Sequence, residues 1–166
     1  MTGEHLAPDV KELLRLLHEH RVRYLVVGGE AVIHHGYPRL TGDVDLFYDR
    51  APRNARRLFA ALEEYWNGSV PAVTDASELE EERLVVQFGR PPNRVDFLSD
   101  LGSVAFARAY RRRVVERLRV GRRSIELPII GLEDLIVAKR DAGRYKDLDD
   151  IEHLRAVSRP KRRRAR

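Results

Sequence analysis

The segment Thr41-Gly42-Asp43-Val44-Asp45-Leu46-Phe47 constrains this chain more than any other. It alternates polar and apolar residues as a half-buried strand does. A period of two sets Asp43 and Asp45 on one face and Val44 and Leu46 on the other. Aspartate is a poor strand former and two neighbouring anions repel, so propensity does not explain the pair. A divalent cation would. Hard oxygen ligands on a rigid strand are what a magnesium site for phosphate chemistry requires.

A second strand, Arg94-Val95-Asp96-Phe97-Leu98, shows the same alternation, with Asp96 pointing away from the face of Val95 and Phe97. If the two strands are neighbours, three carboxylates converge on one side of a sheet. Three such anions buried without a partner would be costly. Two metal ions sharing them would meet that cost, one activating an attacking oxygen and one steadying a triphosphate. Upstream, Val27-Gly28-Gly29 ends a short strand and opens a helix, with thirteen residues between Gly29 and Asp43. Glycines there allow close backbone approach to a ligand and leave N–H groups free for phosphate.

The rest of the pattern reads as an α/β (α+β) domain with one mixed sheet flanked by helices. Helices are expected over Pro8–His20, Glu30–His35, Pro52–Trp66, Ser103–Tyr110, Leu132–Ala142 and Lys146–Val157. Strands are expected over Tyr24–Val27, Asp43–Tyr48, Arg83–Phe88, Arg94–Leu98, Val114–Val120 and Ser124–Leu127. The polar stretch Asn67–Glu82 reads as a loop with room for a short helix in its acidic part. Asp100 reads as a helix cap. Residues 1–158 form the expected domain, and 159–166 a basic, disordered tail.

Spacing and composition set further bounds. Cysteine is absent, which excludes disulfides and thiolate metal sites. His18, His20, His34 and His35 lack zinc-ligand spacing, so surface or supporting roles are expected of them. Ser99, Ser103 and Ser124 have no nucleophile context. No run approaches a membrane span and the N-terminus lacks a signal pattern, so the expected compartment is the cytoplasm, with no membrane partner. The net charge of +5 comes from the tail, whose six cations removed leave 25 basic against 26 acidic residues. Arg108 to Arg123 holds eight arginines against Glu116. Segregated charge of this kind suits a polyanion such as RNA, while a solubilising tail and solvated strand edges account for it equally well.

Val27-Gly28-Gly29, Asp43-Val44-Asp45-Leu46 and Val95-Asp96-Phe97 together resemble the nucleotidyltransferase superfamily related to DNA polymerase β, over roughly residues 10 to 100. The resemblance implies a polymerase-β-like nucleotidyltransferase fold. It implies that Gly28 and Gly29 seat a nucleoside triphosphate (NTP). Asp43 and Asp45 would bind Mg²⁺, two ions in all with Mn²⁺ as a substitute, and Asp96 would complete the metal site and help activate an acceptor hydroxyl. Many members carry Gly-Ser where this chain has Gly28-Gly29, which removes one hydroxyl from the phosphate seat.

The stretch from Leu135 to Ile151, with the lead-in Arg39-Leu40-Thr41, is similar to small bacterial nucleotidyltransferases, including toxins of abortive-infection-type toxin–antitoxin systems. That likeness assigns Lys139 to nucleotide or phosphate binding, Lys146 and Asp147 to support, and Arg39 and Thr41 to the nucleotide side of the site. From the residues alone, a salt-bridged helix end with Asp147, Asp149 and Asp150 capping the next helix is the competing reading. The implied activity is Mg²⁺-dependent transfer of NMP from an NTP to a hydroxyl on RNA such as tRNA, on protein or on a small molecule. A cognate antitoxin is the implied partner. A non-catalytic nucleotidyltransferase-like module that binds RNA or a partner protein is the alternative. A third reading leaves the carboxylates as mere caps and bridges.

Overall fold

The computed structural model describes residue 3 and residues 5–158. The basic tail expected over 159–166 lies outside the described residues. The first helix, α1 (Pro8–Glu19), opens on a proline that needs no N–H partner there, and it buries Val10, Leu13, Leu14, Leu16 and Leu17. Strand β1 (Tyr24–Val27) is buried throughout. It runs directly into α2 (Gly28–His34), so the helix begins at the glycines rather than at Glu30. Strand β2 (Asp43–Tyr48) and helix α3 (Pro52–Tyr65) follow. A 3-10 turn, Ala76–Glu80, lies in the acidic stretch and is closed by a capping box between Asp75 and Glu78.

Strands β3 (Val85–Phe88) and β4 (Arg94–Leu98) pair antiparallel. The next helix, α4 (Phe106–Arg111), starts later than the sequence suggests. Ser103 is instead drawn to Asp141, donating from its N–H and Oγ to Oδ2 at 2.7 and 2.6 Å. Asp100 is no helix cap: it accepts from Gly102 N at 2.8 Å, six residues before α4. Strands β5 (Val114–Val120) and β6 (Arg123–Ile129) make a hairpin in register Val120 to Arg123, which leaves Gly121-Arg122 as the turn. Helices α5 (Leu132–Ala142) and α6 (Tyr145–Ser158) complete the described chain.

Among the described residues the fold is a mixed α/β arrangement of six helices and a six-stranded mixed sheet, ordered β3-β4-β2-β1-β6-β5. The central strands β4 and β2 are parallel, β2 and β1 antiparallel, and β1 and β6 parallel. Leu46, Phe47, Tyr48 and Phe97 from these strands pack with α1 and α3 side chains into one buried cluster. Helix α2 packs on β1 and β2 and touches α5, which lies against α6. No helix among the described residues is long and apolar enough to cross a membrane.

Candidate active site

Parallel pairing of β2 and β4 sets Asp43 opposite Arg94 and Asp45 opposite Asp96. In-register partners on a pleated sheet project to the same side, so these four side chains form a square on one face. Antiparallel pairing of β1 with β2 places Val27 beside Asp45, which brings the following Gly28 to the same corner. Gly28 has φ +60° and would meet Asp45 Oδ2 at 1.8 Å if it carried a Cβ. A Cβ on Gly29 would fall 2.4 Å from Thr41 Oγ1. The two glycines are thus the gap into which Asp45 and Thr41 fit.

Arg94 changes the electrostatics of the square. Its Nη2 donates to Asp43 Oδ2 at 2.6 Å and to Asp96 Oδ2 at 3.2 Å, and its Nε donates to Asp96 Oδ1 at 2.9 Å. Gln87 Nε2 adds a bond to Asp96 Oδ2 at 3.0 Å. Asp96 is therefore fully engaged, whereas Asp43 Oδ1 is buried without a partner and Asp45 makes no side-chain bond to the described residues. Burial, then the charges of Asp96 and Asp43, push the Asp45 carboxyl above the ordinary range, with Lys139 and Lys146 pulling it back.

Three carboxylates against one guanidinium leave two negative charges uncompensated on this floor. The free oxygens of Asp43 and Asp45 suit Mg²⁺, which is commonly held by one or two carboxylates together with substrate phosphates. Among the described residues no group of three or more His, Cys, Asp or Glu side chains is arranged to hold a metal by itself.

Opposite the floor stand cations from three other segments. Lys139 on α5 is only 5% exposed. Its Nζ donates to Asp147 Oδ1 at 3.0 Å and lies 2.7 Å from Asp150 Oδ2. Arg39 Nη2 donates to Asp150 Oδ2 at 3.1 Å, and its Nε lies 2.9 Å from Oδ1 without hydrogen-bond alignment. Arg144 Nε donates to Asp147 Oδ2 at 2.6 Å. Burial opposes ionisation of Asp147, but the bonds from Arg144 and Lys139 outweigh it and hold the carboxyl below the ordinary range. Gly143, at φ +62°, ends α5 and lets the chain turn so that Lys139 and Asp147 meet across the break.

Floor and wall enclose a cavity of about 450 Å³, lined on its polar side by Gly28, Asp45, Asp96, Lys139, Arg144 and Asp147. Leu98, Leu101, Leu135, Ala138 and Ala142 make its apolar side. The structure thus brings Gly28, Asp43, Asp45, Asp96, Lys139 and Asp147 to one place, with Gly29, Thr41 and Arg39 at its margin. Lys146 is exposed and reaches the site only through its charge on Asp45. The helix-end reading also holds in part, since Asp147 accepts from Arg144 N at 3.2 Å and the Arg144 side chain is exposed, yet the pairs of Lys139 with Asp147 and Asp150 are buried.

Sequence reasoning missed Arg94, Gln87, Arg144 and Asp150 as parts of the site. Arg94 was recoverable: two residues before Asp96 on the same strand, it must share that residue's face. The histidines stand elsewhere, His35 Nε2 donating to Ile130 O at 2.8 Å and His34 Nδ1 lying 3.5 Å from Glu116.

A family described as nucleotidyltransferase of unknown function (DUF6036) matches residues 5–159. No curated protein matches the chain. The matched span carries the carboxylate floor, the glycine corner and the cationic wall alike. Because it takes in every element from α1 to α6, the chain belongs to this nucleotidyltransferase family.

Proposed function

We propose that the protein is a metal-dependent nucleotidyltransferase of polymerase-β-like fold that moves NMP from an NTP to an acceptor hydroxyl. The observation that carries this reading is the convergence of two under-compensated carboxylates, Asp43 and Asp45, with Gly28 at the mouth of a cavity faced by Lys139 and Arg144. Asp43 and Asp45 would hold Mg²⁺, with Mn²⁺ able to substitute, where it supplies charge neutralisation to the triphosphate. A second ion would have to share Asp43 or Asp96 with Arg94.

The chain's own residues account for the remaining tasks. Gly28 and Gly29 leave room for Asp45 and Thr41 at the end of β1, where the backbone meets the phosphates, and Lys139 and Arg144, with Arg39 at the margin, give the cavity a positive wall for a polyanion. The aliphatic side of Leu98, Leu101, Leu135 and Ala138 accepts the base by burial. Asp96, fixed by Arg94 and Gln87, would orient the acceptor hydroxyl, whose proton leaves to water as the new bond forms. A new bond forms between that oxygen and the α-phosphorus, the bond to the β-phosphate bridge breaks, and pyrophosphate leaves.

RNA is the acceptor we favour. The exposed arginines Arg117, Arg119, Arg122 and Arg123 on the β5–β6 hairpin support it. A toxin role with a cognate antitoxin rests on the likeness of the Leu135–Ile151 stretch. The test is incubation of the purified protein with each labelled NTP, Mg²⁺ and total tRNA, beside Asp43→Asn and Asp45→Asn variants. Label should pass to RNA only with the unaltered protein, and transfer indifferent to both substitutions sinks the assignment.

One observation favours a second reading, a non-catalytic nucleotide- or RNA-binding module. Arg94 already supplies a cation to Asp43 and Asp96. NTP binding of equal strength with Mg²⁺ and with a chelator would select that reading.

A further inference from the structure

Arg94 stands inside the carboxylate floor of the site. Its guanidinium lies between two strands and bonds one carboxylate from each, with Asp43 Oδ2 at 2.6 Å and Asp96 Oδ1 at 2.9 Å. Both Arg94 and Asp43 have side chains only 29% exposed, and Asp96 only 8%, so water screens these contacts little. Asp43 is left with one engaged oxygen and one buried, unpartnered oxygen. A cation arriving at Asp43 and Asp45 therefore meets a carboxylate already shared with a positive charge.

We propose that Arg94 is a resident counter-cation that weakens the site's hold on a divalent metal until a triphosphate arrives with it. This rests on the proposed Asp43–Asp45 metal site and assigns its regulation. In the nucleotide-free chain Arg94 keeps β2 and β4 from repelling one another across Asp43 and Asp96. The same charge lowers the affinity of Asp43 for a second cation by direct competition for Oδ2 and by repulsion. A triphosphate supplies the additional negative charge and oxygen ligands that overcome both effects. The chain would then take up metal and nucleotide together, instead of holding metal idle on an open site. Gln87 fits this arrangement: its bond to Asp96 Oδ2 keeps that carboxylate in place if Arg94 turns away from Asp43.

The full chain, stripped of metal, is titrated with Mn²⁺ and free ion is read by electron paramagnetic resonance, with no nucleotide present. Arg94→Gln should bind Mn²⁺ about tenfold tighter than the unaltered protein, as expected for removal of one close like charge. Arg94→Lys, whose single ammonium cannot span both carboxylates, should fall between them. Adding a non-hydrolysable triphosphate should narrow the gap between the unaltered protein and Arg94→Gln.

Equal or weaker Mn²⁺ binding by Arg94→Gln overturns the proposal. Should that variant fail to fold, Arg94→Lys decides alone: tighter binding supports the proposal, and equal or weaker binding overturns it. Asp45→Asn separates the two levels. If Asp45→Asn binds Mn²⁺ as tightly as the unaltered protein does, the Asp43–Asp45 site itself fails and this inference falls with it. If it abolishes binding while the Arg94 variants match the unaltered protein, only the present inference falls.

Discussion

Asp45 occupies the space that a side chain at Gly28 would need, a Cβ there lying 1.8 Å from Oδ2. The glycine also sits at φ +60°, which L side chains rarely adopt. Gly28→Ala should therefore cost stability twice, once in backbone strain and once by displacing Asp45, about 2–4 kcal/mol together. Gly68→Ala is the control for strain alone, because Gly68 has φ +97° with no atom within 4 Å of its would-be Cβ. Urea unfolding should show the larger loss at position 28, partly recovered in Gly28→Ala/Asp45→Ala. Equal losses at the two glycines would remove the steric role of Asp45.

Asp45 itself is expected to trade stability for function. Its folded carboxyl is raised above the unfolded value by burial and by Asp96 and Asp43. A raised folded value means the native state binds the extra proton. Stability is then greatest below the ordinary carboxylate range and is lost as pH rises through the folded value. Above that value the metal-free protein bears the cost of a buried charge at Asp45 beside Asp96 and Asp43. Asp45→Asn should raise its thermal midpoint at pH 7, by about 1 kcal/mol of stability, while ending nucleotidyl transfer. A midpoint that falls instead would show that the carboxylate is well accommodated.

Lys139 should behave as a keystone of the cationic wall. Lys139→Met leaves Asp147 and Asp150 buried with one cation each, Arg144 and Arg39. The expected loss is about 3 kcal/mol, the low end for breaking a buried pair, because each carboxylate keeps a partner. Adding Asp150→Asn should return part of that loss in denaturant titrations. NTP affinity should drop in both variants, since neither restores the cation to the cavity. Strictly additive stability losses would contradict the shared network.

Asp147 gives an acid-side signature. Arg144 and Lys139 hold its folded carboxyl low against the opposing effect of burial. A depressed folded value contributes stability that is present above the ordinary carboxylate pKa of about 3.9 and is lost as pH falls through the folded value. Asp147→Asn should be clearly less stable than the unaltered protein at pH 7 and pH 5, and the difference should shrink below pH ~4. A difference that stays constant down to the acid transition would argue against ionised pairing.

The floor of the site was legible because it is local. Asp43, Asp45 and Asp96 announce themselves as carboxylates on alternating strands, and Gly28-Gly29 as a strand end. The pairing of Asp43 with Arg94 was not legible, because it depends on β2 and β4 being parallel neighbours in one particular register, which the alternation within each strand does not specify. The wall was legible only as a resemblance. Arg39 and Asp150 are 111 positions apart, and no periodicity links a loop before β2 to the last helix. Lys139 and Asp147 lie eight apart across a helix break, which helical spacing does not join. The late start of α4 follows from the tertiary bond of Ser103 to Asp141, another contact between distant segments.

The order of the elements along the chain also fixes an order in time. Gly28, Asp43, Asp45, Arg94 and Asp96 all leave the ribosome before α5 and α6. A nascent chain that ends at β4 carries Arg94 beside the acidic floor, but of the facing cations it has only Arg39. Only when Lys139, Arg144 and Asp147 emerge does the cavity acquire its far side. Synthesis therefore delivers the residues proposed for chemistry first and those that close the chamber last, so a truncated product ending before Lys139 lacks both Lys139 and Arg144 from the cationic wall.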